Sequence, residues 1–284
     1  MTNASFADPH IILDEDQSLT RHHMAKAPIR HAQLDSLPIS LGIRILDIGC
    51  GPGLYLPHWL EITREAAAQF TLLDRSASAL KKCAQLAKDA GAEHRVKLLE
   101  KDIFCRGLPQ GSFDLIFIGN TMEYLPSPSE YLKENVLPLL RSGGTLAVRD
   151  LDCGLLAVNY ADPALVSKII HARILGCQAN SMNNETFHNP FIGRSLGKIV
   201  KEAGFTDISL TPYFCEFRYP LRPEQSEYLS ALHTSWYVED PCGILSEEER
   251  SQWHSFFDKK HPQCILEKES LFYVETEFLV TATK

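Results

Sequence analysis

The stretch Ile45-Leu46-Asp47-Ile48-Gly49-Cys50-Gly51-Pro52-Gly53 constrains the fold more than any other. Ile43, Ile45, Leu46 and Ile48 form an apolar run that suits a central strand covered on both faces. The glycines at 49, 51 and 53 then permit positive φ and a close backbone approach to something bound above the sheet edge. Pro52, with fixed φ and no N–H, is expected where a helix begins. A strand, a glycine turn and a helix N-terminus together predict a nucleotide site at the carboxyl edge of an open α/β sheet.

Spacing narrows the nucleotide. A dinucleotide fingerprint needs G-x-G-x-x-G, but Leu54 stands where its third glycine would be. A phosphate-binding P-loop needs Lys followed by Ser or Thr, and neither is present. Asp47, two residues ahead of the first glycine, would repel a phosphate and suits an ammonium or another cationic ligand. The stretch resembles motif I of the class I S-adenosylmethionine-dependent methyltransferases, with its D-x-G-x-G-x-G core.

Phe70 to Leu73 reads as the next buried strand, ending in Asp74. That acid lies 27 positions after Asp47 (74 − 47), near the interval expected for a carboxylate that accepts both ribose hydroxyls. Ser76 caps a predicted helix Ala77 to Ala90, stopped by Gly91. Val96 to Glu100 is a third strand, Leu115 to Ile118 a fourth and Thr145 to Arg149 a fifth, with a helix predicted over Pro128 to Leu140. The resemblance extends over roughly residues 43 to 150. It implies that Asp47, Gly49, Cys50, Gly51, Gly53, Asp74, Arg75, Asp102, Ile103 and Asn120 bind the cofactor, with Asp102 on the adenine amino group and Ile103 against the ring.

The resemblance further implies a Rossmann-like, doubly wound seven-stranded sheet, mostly parallel with an antiparallel last strand. Residues 1–41 are expected to form an N-terminal helical lid, and 42–284 the methyltransferase domain. Asp150-Leu151-Asp152 is expected to end the fifth strand and enter a largely helical insertion at about 154–192. A second insertion at about 218–270 precedes the last strand, Phe272 to Thr281, and both are expected to form a substrate cap.

Composition is that of a globular protein: 284 residues, 44% hydrophobic and 23% charged. A formal net charge of −8 at pH 7 disfavours a nucleic-acid partner, whose affinity rests on basic phosphate contacts. The absent N-P-P-Y tetrad, by which amino-group methylases of bases hold a flipped base, points the same way. No apolar run approaches a membrane span, and Met1 to His10 carries no basic and apolar leader pattern, so a cytoplasmic chain, monomeric or homodimeric, is expected. Eight singly placed cysteines read as free thiols.

With S-adenosylmethionine as methyl donor and S-adenosylhomocysteine as product, the protein must align a nucleophile and exclude water. A hydroxyl or protonated amine acceptor also calls for a base, for which Glu123, His22 (or its neighbour His23) and His233 are candidates. Tyr124, Trp236 and Tyr237 are candidate substrate-lining residues. Asn120, Asp150 and Asp152 offer oxygen donors at strand ends, but their pattern departs from the catechol-type subgroup, and no metal is expected. The expected activity is methyl transfer to a small-molecule O, N or C. The alternatives are a cofactor-binding protein that catalyses a cyclisation, a protein or RNA methyltransferase, and a non-catalytic adaptor.

Overall fold

The computed structural model describes residues 15–182 and 187–284. Residues 1–14, which include the stretch read as lacking a leader and the start of the expected lid, lie outside the described residues, as do 183–186 of the first expected insertion. The chain forms two compact units. A sheet unit comprises Pro28–Leu151, Pro190–Tyr213 and Glu277–Lys284; an insertion unit comprises the chain up to Ala27, Asp152–Asn189 and Phe214–Thr276.

In the sheet unit, β1 (Arg44–Ile48) lies between β2 (Gln69–Asp74) and β4 (Phe113–Gly119). Beyond them lie β3 (Val96–Glu100) and β5 (Leu140–Val158), all parallel, with Ile48 opposite both Leu73 and Ile118. The sheet order is β3-β2-β1-β4-β5-β7-β6, with β6 at Thr206–Arg218 and β7 at Phe272–Thr283. Lys284 N–H donates to Gly144 O at 3.0 Å and Gly143 N–H to Lys284 O at 3.3 Å, so the end of β7 runs against the start of β5. This is the expected doubly wound, mostly parallel sheet with an antiparallel last strand.

Strand alternation explains why both faces are covered. Leu46, Ile48, Ile116, Ile118, Leu146 and Val148 face one cluster, built with Leu132, Val136 and α6 (Leu196–Glu202). Ile45, Leu115, Phe117 and Ala147 face the other, built with α2 (Leu56–Ile62), α3 (Ala77–Asp89) and Leu34 of α1 (Glu15–Asp35). Apolar side chains on both sides of each strand require helices on both sides of the sheet.

Several predicted boundaries move. Pro52 lies in the glycine turn, and α2 starts at Leu56 with Pro57 in its first turn. That helix ends at Ile62, because Thr63 turns its hydroxyl back onto Trp59 O (2.6 Å) and Ala67 takes φ +48°. The helix predicted over Pro128 to Leu140 keeps α geometry only in α4 (Pro128–Tyr131), then widens into a π turn over Leu132–Val136 and tightens at Leu137–Leu139, where Pro138 has no N–H to continue it. The fifth strand does not end at Asp150-Leu151-Asp152. It runs to Val158, and just past it Asn159 N–H bonds Phe272 O at 3.1 Å while its side chain bonds Ser270 O and Phe272 N–H. Helix α5 therefore begins only at Pro163 and runs to Met182.

Within the insertion unit, α7 (Pro223–Thr234) and α8 (Glu247–Phe257) pack as a helical pair, α8 opened by a Ser246/Glu249 capping box. Their core holds a polar string. Lys26 Nζ meets Glu275 Oε1 at 2.7 Å, Tyr228 and Tyr273 both donate to the Glu275 carboxylate, and Tyr273 OH lies 2.9 Å from His233 Nε2. In the sheet unit, Arg30 of α1 donates to buried Glu277 at 2.9 Å. Each unit thus fixes its own half of α1 by a buried ion pair. No described helix is long and apolar enough to cross a membrane.

Glu277→Gln leaves the buried Arg30 and Arg149 guanidinium groups without their counter-charge and is expected to cost about 3–5 kcal/mol. Urea unfolding should show a lower midpoint at unchanged slope; an unchanged midpoint would refute the assignment. Burial also holds the His233 imidazole well below its ordinary pKa. The unfolded chain then gains a proton that the folded chain refuses, so stability present above about pH 6.5 declines as pH falls below it. His233→Asn should flatten the difference in stability between about pH 7.5 and 5.5.

Candidate active site at the carboxyl edge of the sheet

The glycine turn after β1 takes φ of +70° at Gly49, +54° at Gly51 and +77° at Gly53. At Gly49 a Cβ would lie 2.5 Å from Thr121 Oγ1, and at Gly53 it would lie 2.8 Å from Cys83 Sγ, so neither position tolerates a side chain. Above Gly51 nothing lies within 4 Å, which leaves the tip of the turn open. Asp74, at the end of β2, accepts from Gly51 N–H and Ser76 N–H at 2.8 Å each, and so ties the turn to the neighbouring strand end. Asp47 is buried beneath the turn, and its carboxyl is pushed up to about 7, first by burial and then by the Asp74 charge. Cys50 is buried there too, its thiol hydrogen-bonded with Cys83 and pushed well up by that bond and by burial.

The turn after β3 places Asp102 at the surface, with its carboxylate accepting from Phe104 N–H at 2.9 Å. Ile103 is half-buried against the apolar cluster, and Arg75 is exposed. Beyond β4, Asn120 takes φ +50°, donates its N–H to Arg149 O at 3.0 Å and accepts from the Arg149 guanidinium through its side chain. Glu123 is buried, with its N–H on Asp150 Oδ2 at 3.2 Å and one carboxylate oxygen 3.5 Å from Asn120 Nδ2. Tyr124 is half-buried. Burial, and then the Glu123 charge, raise the Asp150 carboxyl well above its usual range. Arg149 is fully buried on Glu277.

The sheet unit therefore brings together Asp47, the glycines, Cys50, Asp74, Arg75, Asp102, Ile103, Asn120, Glu123 and Tyr124 around adjacent strand ends. The remaining candidates belong to the insertion unit. There His22 stacks on Tyr228 at 5.2 Å, while His23 is buried. His233 and Tyr237 lie inside an aromatic core with Trp253 and Phe257, and Trp236 carries the Arg173 guanidinium 4.0 Å above its ring. Asp150 and Asp152 spend oxygens on backbone N–H groups, and no cluster suited to a metal ion occurs among the described residues.

Three contributors, Tyr55, Cys83 and Arg149, escaped the sequence reading. Tyr55, directly after the turn, lies edge-on to Phe117 and against Gly119. Thr121 packs on Gly49, and Cys83 on Gly53. Arg149 carried a visible signal, since a charged pair, Arg149-Asp150, follows the apolar run of a central strand and burial there demands partners.

A family model described as a methyltransferase domain matches residues 39–204. Over 111 residues the chain is 33% identical to a probable non-canonical nonribosomal peptide synthetase, CymA, of Salinispora arenicola, covering 38% of this chain and 1% of that protein. Over 131 residues it is 30% identical to a malonyl-[acyl-carrier protein] O-methyltransferase of Enterobacter lignolyticus, covering 46% and 48% of the two chains. The chain thus spans about half or less of the length of these relatives. Among solved structures, a phosphoethanolamine N-methyltransferase 2 of Haemonchus contortus in complex with S-adenosyl-L-methionine aligns over 100% of this chain and 61% of its own, with TM-score 0.54 and 17% identity, which shows a shared fold. The glycine turn and its flanking acids lie within the matched domain, and that domain covers more than half of the sequence; the chain belongs to the class I S-adenosylmethionine-dependent methyltransferases.

Proposed function

We propose that this protein transfers the methyl group of S-adenosylmethionine to an oxygen, nitrogen or carbon of a small-molecule acceptor. The observation that carries the reading is the open turn at Gly51, flanked by the carboxylates of Asp47 and Asp74. Those groups suit a ligand with a cationic end and a vicinal diol, as the donor has. Asp74 is already oriented by two N–H bonds and leaves lone pairs for ribose hydroxyls. Asp102 and Ile103 are assigned to the adenine, and Asn120 to the cofactor side of the β4 loop.

When bound, the sulfonium supplies an electrophilic methyl group. The chain's own task is to orient the acceptor and take its proton where one is lost. Glu123 is our choice for that base. It lies beyond β4 with its N–H on Asp150 Oδ2, and Asn120 Nδ2 approaches its carboxylate at 3.5 Å. His233 is set aside, because its imidazole is enclosed by aromatic rings. A small acceptor is in keeping with relatives named for a malonyl group on acyl-carrier protein and for phosphoethanolamine.

Calorimetric titration with S-adenosylmethionine and S-adenosylhomocysteine tests the donor site, and no binding of either at about 1 mM would end the proposal. Asp74→Ala should weaken both by about 10- to 100-fold, the worth of a charge-assisted hydrogen-bond pair. Because Asp47 must be ionised to pair with a cationic ligand, affinity should fall as pH drops through about 7, and Asp47→Asn should remove that slope. With an acceptor found by release of labelled methyl, Glu123→Gln should lower kcat about 10²- to 10⁴-fold while leaving donor affinity unchanged.

A further inference from the structure

The amino ends of the strands, opposite the candidate active site, carry a second concave feature. An open groove of about 320 Å³ is lined by the starts of β1, β2, β3 and β4, together with the turn before β3. Its apolar wall comes from Phe70, Val96 and Phe113, and its charged lining from Arg44, Arg95 and Lys97, with His94 beside them. In a chain of net charge −8, this concentration of cations is out of proportion.

Two of the cations are fixed in place. Arg95 spends Nε on Ala68 O at 3.0 Å and Nη2 on Thr63 O and Oγ1 at 3.1 and 2.8 Å. Those acceptors are neutral and the guanidinium lies over the Phe70 ring at 5.6 Å, so no carboxylate offsets the charge of this half-buried group, and its Nη1 stays unspent. Arg44 is clamped through Nε and Nη2 on Asp114, whose carboxyl is drawn down to about 2, chiefly by that guanidinium. Its Nη1 is likewise unspent in that clamp. Lys97 is exposed, and neither it nor His94 or Arg95 forms an ion pair among the described residues. Rigid guanidinium groups with spare donors lose little entropy when an anion docks, and the carboxylate that Arg44 holds does not reach Arg95 or Lys97.

From this we infer that the groove binds a small organic anion, a carboxylate or phosphate on a compact apolar body, with the anionic group between Arg95 and Lys97 and the apolar part against half-buried Val96. The site lies about 16 Å from the glycine turn, five extended residues along β1, and is separate from the methyl-donor site. It is independent of the reaction proposed above.

Calorimetry with phenyl phosphate, benzoate, inorganic phosphate and neutral benzamide tests the inference. Saturable binding of phenyl phosphate or benzoate at millimolar concentration is expected, with inorganic phosphate weaker by about tenfold and benzamide without effect. Whichever of the two aromatic anions binds more tightly identifies the headgroup. Lys97→Glu and Arg95→Gln should each weaken the aromatic anion about tenfold while leaving S-adenosylhomocysteine affinity unchanged. Arg95 also holds the loop between α2 and β2, so Lys97→Glu, at an exposed position, decides the matter if Arg95→Gln fails to fold. No saturable binding up to about 20 mM, or full affinity in Lys97→Glu, would overturn the inference, and equal binding of inorganic and phenyl phosphate would remove the apolar subsite.

Discussion

Glu277 lies buried between two arginines that come from distant parts of the sequence, Arg30 on α1 and Arg149 on β5. Removing three charged groups from water is costly, and the arrangement persists only because each guanidinium finds oxygen partners in a fixed geometry. Arg149 reaches the side chain of Asn120 as well as Glu277, so the ion network extends from the helix, through the last strand, to the loop that follows β4. That loop carries Glu123 and packs Thr121 onto Gly49. The polar floor of the site and the conformation of the glycine turn thus share one electrostatic anchor.

What was legible in the sequence was local. The turn after β1 declared itself because glycine identity, an acid and an apolar run fall within nine residues, and Asp74 followed from the length of one strand–helix–strand unit. The ion network was not legible, because 128 positions separate Arg149 from Glu277, and neither residue type signals burial by itself. The length of β5 was misread for a related reason. Beyond Asp150 the run Cys153-Gly154-Leu155-Leu156-Ala157-Val158 lacks strict alternation, and only the partner at Phe272 decides that it is a strand. Sequence placed His233 and Tyr237 in a substrate cap, and packing placed them in an aromatic core, since periodicity cannot separate a helix face that lines a cavity from one that fills it.

The insertion unit shows a second way of handling buried polarity. Glu275 receives a lysine and two tyrosine hydroxyls, and the second tyrosine passes the string on to a neutral imidazole. Each member has a partner within the string, and only the far ring nitrogen of His233, Nδ1, is buried without one. The sheet unit uses charge against charge at its centre; the insertion unit dilutes one ion pair into a graded series of hydroxyls and a ring nitrogen.

The contact between Gly49 and Thr121 has a consequence for how such a site can diverge. With Thr121 Oγ1 occupying the space a Cβ at position 49 would need, the two loops cannot drift separately. A larger residue after β4 presses on the turn that follows β1, and a smaller one opens a void beneath it. Substitutions at 121 and at 49 are therefore coupled, and a change at either position is tolerated only when the other accommodates it.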